Sequence, residues 1–215
     1  MQYIDLMVFD LDGTLVDSAD DLTASVNHAL ETLGLARLSH KDILGFVGDG
    51  VTRLIERSLG EEHKILIEEA MTIFKDYYRR HLLDRTILYP GVREMLDHFS
   101  RKKKIVITNK LQDYAQVIIN GLGVNDCFDA VIGMKNNNLL AKPDPRLLRP
   151  LMDKYRIMPG CTVVIGDGVN DILIAKKTGA VSCAFLGGLT DPSRLSALNP
   201  DYLYSSATEL KDFFK

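Results

Sequence analysis

The chain has 215 residues, 46% of them hydrophobic and 26% charged, with a formal net charge of −3. That is the composition of an ordinary globular protein, long enough to bury a sizeable core. The charge gives no footprint for nucleic acid, and no apolar run approaches the ~18 residues of a membrane span. The start, Met1-Gln2-Tyr3-Ile4-Asp5, lacks the basic residues and cleavage site of a secretory signal. Cys127, Cys161 and Cys183 form no CxxC pair. The expectation is a cytoplasmic protein, monomer or homodimer, whose cysteines are small buried hydrophobes and whose partner is a small molecule.

In chain order, strand character falls at residues 4–9, 105–108, 130–133, 162–166, 182–186 and 202–204. Most of these runs are continuously apolar, which suits a parallel sheet buried on both faces. Helical patterns lie between them. Residues 91–100 put Val92, Met95, Leu96 and Phe99 on one face, and 114–121, 145–155 and 171–178 read similarly. Strands alternating with helices predict an α/β doubly wound sheet. Residues 17–85 break the rhythm. Leu22, Val26, Ala29, Leu30 and Leu33 form one helical stripe, Val51, Leu54, Ile55, Ser58 and Leu59 another, and 65–83 is long and helical. This predicts a helical cap over 17–85 inserted into a core of 1–16 and 86–215, with Tyr89-Pro90-Gly91 marking the return. The basic run from Arg101 to Lys104 reads as a helix end in solvent.

The apolar run LMVF stops at two acids, Asp10 and Asp12. Side chains two apart in an extended chain point the same way, so the carboxylates converge. They sit at the carboxyl end of the first strand, where open α/β sheets bind ligands. Gly13 and Thr14 turn the chain, leaving backbone N–H groups and a hydroxyl to meet an anion. A second strand ends in Gly166-Asp167-Gly168, with Asp171 four residues beyond Asp167 near a helix start. Thr108 and Asn109 end another strand, and Lys142 precedes Pro143, which keeps it extended. Asn109 and Lys110 either line the site or open the next helix.

Carboxylates with few histidines or cysteines form a hard oxygen site, favouring Mg²⁺. A carboxylate such as Asp10 is an ionised nucleophile without a base to activate it. Asp12 is placed to protonate a leaving alcohol and then to activate water. Mg²⁺ and Lys142 would carry the charge of a transferring phosphoryl group, and Thr108 would bond one of its oxygens. In the cap, Arg53 follows Gly48-Asp49-Gly50 at a helix start and would meet a substrate carboxylate bidentately, unless it is an exposed helical arginine.

These residues resemble the haloacid dehalogenase-like superfamily of phosphohydrolases. Asp10-Leu11-Asp12-Gly13-Thr14-Leu15 matches its first motif, Thr108 its second, Lys142 its third, and Gly166-Asp167-Gly168-Val169-Asn170-Asp171 its fourth. The resemblance implies a Rossmann-like core with a helical cap after the first motif. It also implies Mg²⁺ held by Asp10 and Asp167, by the backbone carbonyl of Asp12, and by Asp171 through water unless Asp171 instead supports Lys142. Within the superfamily, FVGDGVTRLIERSL, LYPGV, ITNK and KPDPRLL are similar to phosphoglycolate phosphatases. The expected reaction is hydrolysis of a small phosphate monoester, 2-phosphoglycolate foremost, through an aspartyl-phosphate. Alternatives are a sugar-phosphate or nucleotide phosphatase, a β-phosphoglucomutase-like phosphotransferase, and a non-catalytic binding module. Gly168 departs from the Ser of many relatives, which removes a hydroxyl near the metal.

Overall fold

From the N-terminus the chain forms β1 (Leu6–Phe9), β2 (Val16–Asp17), α1 (Ala19–Thr32), α2 (His40–Leu44), α3 (Val51–Leu59) and α4 (Ile67–Arg80). It continues through β3 (Ile87–Leu88), α5 (Val92–His98), β4 (Lys103–Leu111), α6 (Gln112–Gly121) and β5 (Ala130–Met134). It ends with α7 (Arg149–Tyr155), β6 (Thr162–Gly166), α8 (Val169–Thr178), β7 (Val181–Phe185), α9 (Pro192–Ser196), β8 (Tyr202–Tyr204) and α10 (Leu210–Phe213). The structure is a computed structural model and describes residues 1–135 and 140–215. Among these, no helix is long and apolar enough to cross a membrane.

Six strands form a parallel sheet in the order β5-β4-β1-β6-β7-β8. Alternation along each strand sends side chains to opposite faces. Leu6, Val8, Ile105, Ile107 and Val164 pack with Leu148, Met152 and Ile174 on one side. Met7, Phe9, Val106, Val163 and Ile165 pack with Val92, Leu96, Ala115 and Ile118 on the other. Both faces are covered, which is why the strands read as unbroken apolar runs. Each buried aliphatic side chain contributes about 1.5–3 kcal/mol. The order places β1 between β4 and β6, so the residues that follow these three strands are neighbours at one edge.

The six expected strands are present within a few residues. β4 runs on to Leu111 with a register shift after Ile107, so Thr108, Asn109 and Lys110 lie within its irregular end. β2 and β3 were not expected, because at two residues each they are too short for a period to show. They pair antiparallel, Val16 with Leu88 and Asp17 with Ile87. Through this ribbon the chain leaves the core and returns to it.

Just beyond the ribbon, the buried Asp21 of α1 accepts hydrogen bonds from the Arg85 N–H (3.0 Å), the Thr86 N–H (2.8 Å) and the Thr86 hydroxyl (2.7 Å). It ties the outgoing helix to the returning segment. The cap interior is built from Val26, Leu30, Leu54, Ile55, Phe74 and Tyr78, continuous with the core cluster on that side. The long helix expected over 65–83 begins instead as a 3-10 turn, Glu61–Leu66, with Ile65 fully in solvent, and becomes α-helical only from Ile67.

Two expectations are corrected, that the run to Lys104 lies in solvent and that all three cysteines are buried. Lys104 is buried because its ammonium donates to the Phe99 carbonyl (2.7 Å) at the end of α5, where the orphan carbonyls of a helix accept a cation. Of the cysteines only Cys183, inside β7, is fully buried. Cys127 and Cys161 end short 3-10 turns and are half-buried.

Candidate active site

Asp10 follows β1, and its N–H continues the sheet ladder to the Ile165 carbonyl (2.9 Å). Its Oδ1 accepts from the Leu11 N–H (2.7 Å) and pairs with Lys142 Nζ (2.7 Å). The chain then turns at Gly13, whose φ of +81° lies in the left-handed region. A Cβ there would come within 2.2 Å of Asp167 Oδ2, so glycine is required both for the turn and for the approach of Asp167.

Asp167 follows β6 and is held from three sides. Oδ1 accepts from the Thr14 hydroxyl (2.8 Å), Oδ2 from the Leu189 N–H (2.8 Å), and its own N–H donates to Thr14 Oγ1 (2.9 Å). Burial pushes its carboxyl up to about 7, helped by Asp10 and Asp171, while the bonds from Thr14 and Leu189 pull the other way. Asp171, in the first turn of α8, accepts from the Gly168 N–H (3.0 Å) and from Lys142 Nζ (2.7 Å). Burial raises its carboxyl as well, against the pull of Lys142. A Cβ on Gly166 would lie 2.1 Å from Asp171 Cγ, so the last residue of β6 must also be glycine. Burial works against the charge on Lys142, but Asp10 and Asp171 outweigh it and hold the ammonium above the ordinary lysine range.

Asp10, Asp167 and Asp171 each present one oxygen within 4.8 Å of the others. Three converging carboxylates, two of them fully buried, repel one another, and Lys142 offsets only part of that charge. Hard oxygen donors at this separation fit a small divalent cation.

Asp12 is turned elsewhere. Its Oδ1 accepts from the Ser18 hydroxyl (2.6 Å) and from Lys110 Nζ (2.8 Å), which also reaches Oδ2 (3.1 Å). Its carboxylate therefore stands apart from the three-acid cluster. Lys110 Nζ is also 2.5 Å from the Tyr78 hydroxyl, on cap helix α4. Thr108 is buried and its Oγ1 accepts from the Lys110 N–H (3.1 Å).

The other expected residues take different posts. Thr14 spends its hydroxyl on Asp167, so it buttresses an acid rather than facing a ligand. Asn109 pins the Lys142 segment, accepting from the Lys142 N–H (2.8 Å) and donating to the Lys142 carbonyl (3.2 Å) and to the Gly48 carbonyl of the cap (2.9 Å). Arg53 is not brought to the site. Its side chain is 65% exposed and lies along α3, paired with Glu56 three residues on (2.7 Å). Arg57, one turn further, stands at the seam between cap and core, bound to Asp49 (2.6 Å).

Two spaces open on Asp10. One is a polar cleft of about 150 Å³ bordered by Lys142, Asp171, Asn170, Arg57 and Arg194. The other is a chamber of about 60 Å³ under the cap, walled by Leu22, Val51, Leu54, Phe74, Tyr78 and Tyr114 and reaching Asp12, Thr108 and Lys110. Lys110, Tyr78 and Ser18 are the members the sequence reading did not assign. For Lys110 the signal was its place two residues after Thr108. For Tyr78 none existed, because its role depends on the cap folding over the core.

A parallel α/β core with acids at the ends of its central strands, a lysine between them and a helical cap inserted after β1 defines the haloacid dehalogenase-like class. A family model described as haloacid dehalogenase-like hydrolase matches residues 7–185, and the chain belongs to this family. It is 34% identical to a phosphoglycolate phosphatase of Chromobacterium violaceum over 100% of this chain and 98% of that one. It is also 34% identical to a phosphoglycolate phosphatase of Colwellia psychrerythraea over 98% of this chain and 96% of that one. A solved structure described as a predicted phosphoglycolate phosphatase from Haemophilus somnus superposes with a TM-score of 0.90 at 26% identity, covering 99% of both chains. The chain is thus a hydrolase of the phosphoglycolate phosphatase-like kind.

Proposed function

We propose that the protein is a Mg²⁺-dependent phosphatase that hydrolyses 2-phosphoglycolate through an aspartyl-phosphate on Asp10. The observation that carries the reading is the contact of Lys142 with both Asp10 and Asp171 at 2.7 Å, beside the buried Asp167, with Asp10 also opening on the chamber that Thr108 lines. Asp10 Oδ1 is occupied by the Leu11 N–H and Lys142, which leaves Oδ2 as the oxygen to attack phosphorus.

Asp10 attacks the phosphorus as the ester bond breaks. Asp12 gives a proton to the departing glycolate oxygen, then takes one from the water that hydrolyses the aspartyl-phosphate. Lys142 balances charge on the transferring group, and the Thr108 hydroxyl donates to one of its oxygens. Mg²⁺ would be held by carboxylate oxygens of Asp10, Asp167 and Asp171 and by the main-chain carbonyl of Asp12, supplying the positive charge that lets an anionic phosphoryl group approach Asp10. The cap excludes bulk water from the chamber during both steps. The choice of 2-phosphoglycolate among small phosphate esters is supported by the relatives named above.

The test is release of free phosphate from 2-phosphoglycolate, hexose phosphates and nucleoside monophosphates, with Mg²⁺ and with EDTA. The reading expects Mg²⁺-dependent release, a kcat/KM for 2-phosphoglycolate at least ~10-fold above the rest, and loss of turnover in Asp10→Asn. Comparable rates across the panel defeat the substrate assignment. Turnover that survives Asp10→Asn defeats the mechanism.

A further inference from the structure

We propose that the basic cleft between cap helix α4 and core helix α6 binds a phosphate dianion, which fastens the cap to the core from a second side. The site is separate from the three-acid cluster and does not depend on turnover.

The cleft has a volume of about 420 Å³. Lys75 and Arg79 line it from α4, Lys135 from beyond the end of β5, and Gln112 and Asp113 from the start of α6. Three cations against one acid leave two positive charges on its walls, and a phosphate dianion carries the matching charge. Among the described residues, none of the three cations is paired with an acid. Arg79 lies against the Tyr114 hydroxyl, which itself donates to the Lys75 carbonyl (3.1 Å). That contact leaves most of the guanidinium N–H groups unspent.

Lys75 and Arg79 stand four residues apart, so they are neighbours across one turn of α4, and like charges at that spacing destabilise a helix. Arg80 has the same spacing to Asp76 and pairs with it. On the face toward the core the corresponding partner is a lysine, and an anion in the cleft removes the repulsion. Arg79 offers a planar fork suited to two phosphate oxygens, while Lys75 and Lys135 act as point charges. The core wall is fixed in place. The Gln112 side chain donates to the Val131 carbonyl (3.1 Å) and accepts from the Gly133 N–H (2.7 Å), tying the start of α6 to β5. Leu111 and Tyr114 border both this cleft and the chamber beside Asp12, so they form the partition between the two spaces.

The sheet order gives the consequence. Asn170 grips the cap through Asp49 on the β6 side of β1. The basic cleft lies on the other side, where β4 and β5 end. Since α4 belongs to the cap and α6 and β5 to the core, an anion held by both walls joins them.

The experiment titrates the full chain with inorganic phosphate at about pH 8, where phosphate is a dianion. EDTA is present, so no metal ion draws phosphate to Asp10, and potassium chloride at matched ionic strength is the contrast. Calorimetry is expected to show a saturable site for phosphate and none for chloride. Lys75→Gln and Arg79→Gln should each weaken it at least ~10-fold, because each removes a charge-assisted hydrogen bond. Arg80→Gln, one residue along and outside the cleft, should change it less than about twofold. Bound phosphate should also slow amide exchange in α4. Absence of saturable binding overturns the site, as does equal affinity in wild type and the Lys75→Gln/Arg79→Gln double variant. Equal weakening in Arg80→Gln reduces the effect to general charge attraction and overturns it too. Binding that leaves exchange in α4 unchanged overturns the fastening. If Lys75→Gln and Arg79→Gln do not fold, Lys135→Gln decides from the core side, and undiminished affinity there overturns the proposal.

Discussion

Asn170 in the first turn of α8 donates its side-chain N–H to Asp49 Oδ1 of the cap at 2.8 Å, joining the two parts of the molecule directly above the three-acid cluster. Asp49 is itself gripped by Arg57. Burial alone would raise its carboxyl, yet Asn170 and Arg57 outweigh that and hold it below the usual carboxylate range. The clasp closes the cap over Asp10 without touching the reacting atoms. Partly exposed bonds of this kind are worth about 0.5–1.5 kcal/mol. Asp49→Ala should therefore lower kcat/KM by roughly three- to tenfold and speed amide exchange in the first turn of α3. Arg53→Ala, four residues along and paired with the neighbouring Glu56, serves as the contrast and should stay within about twofold of wild type. Equal losses in the two variants would remove the clasp from the account.

Asp21 holds a different joint. Its carboxylate satisfies two backbone N–H groups and the Thr86 hydroxyl where the chain re-enters the core. Asp21→Ala leaves those donors buried without an acceptor, at about 1–3 kcal/mol for the worst placed of them. The expected destabilisation is about 3 kcal/mol, or roughly 6–12 °C in Tm for a protein of this size. Activity at low temperature should survive, since no reacting group is moved. A Tm within about 2 °C of wild type would show that the ribbon, not Asp21, anchors the cap.

Gly13 joins the turn after β1 to the acid after β6. Any side chain there adopts a left-handed φ, at about 1–3 kcal/mol, and drives its Cβ into Asp167. Gly13→Ala should displace the Asp167 carboxylate and reduce kcat by at least ~100-fold, with a smaller loss of stability. Calorimetric titration with Mg²⁺ separates the two effects, because a folded Gly13→Ala protein should bind the ion more weakly. Unchanged Mg²⁺ affinity would count against Asp167 as a ligand.

The polar ends of the central strands were legible because an apolar run that stops at Asp10, Thr108 or Asp167 marks both the strand and its functional end. The cap was legible as a long stretch of helical periodicity without strand character. What escaped the sequence lies in contacts between distant segments. Lys110 and Tyr78 are 32 residues apart and on different parts of the molecule, so neither local pattern nor spacing points to their meeting. Asp21 reads locally as an acid in the first turn of a surface helix, yet it is buried by a segment some 65 residues later. Arg53 has the charge suited to a ligand carboxylate, but its i,i+3 neighbour Glu56 takes the guanidinium. Thr14 follows the glycine as an anion-binding hydroxyl would, and its position beneath Asp167 appears only once β1 and β6 are adjacent.

The raised carboxyl of Asp167 ties stability to pH and to metal. In the absence of a cation its folded-state value is about 7, against 3.8 for the ordinary group. Between those values the folded protein holds a proton that the unfolded chain has lost. The stabilising contribution is complete below about pH 4, declines as pH rises, and is gone above about pH 7. Protein kept in EDTA should therefore melt at a lower temperature at pH 8 than at pH 5. A bound divalent cation needs ionised carboxylates, so Mg²⁺ should raise Tm far more at pH 8 than at pH 5. Asp167→Asn should flatten part of the EDTA profile, the rest belonging to the similarly raised Asp171, and abolish most of the Mg²⁺ effect. Thermal melts at the two pH values, with and without Mg²⁺, test all three statements. A Mg²⁺-induced shift of the same size at pH 5 and pH 8 would mean that the ion binds away from Asp167.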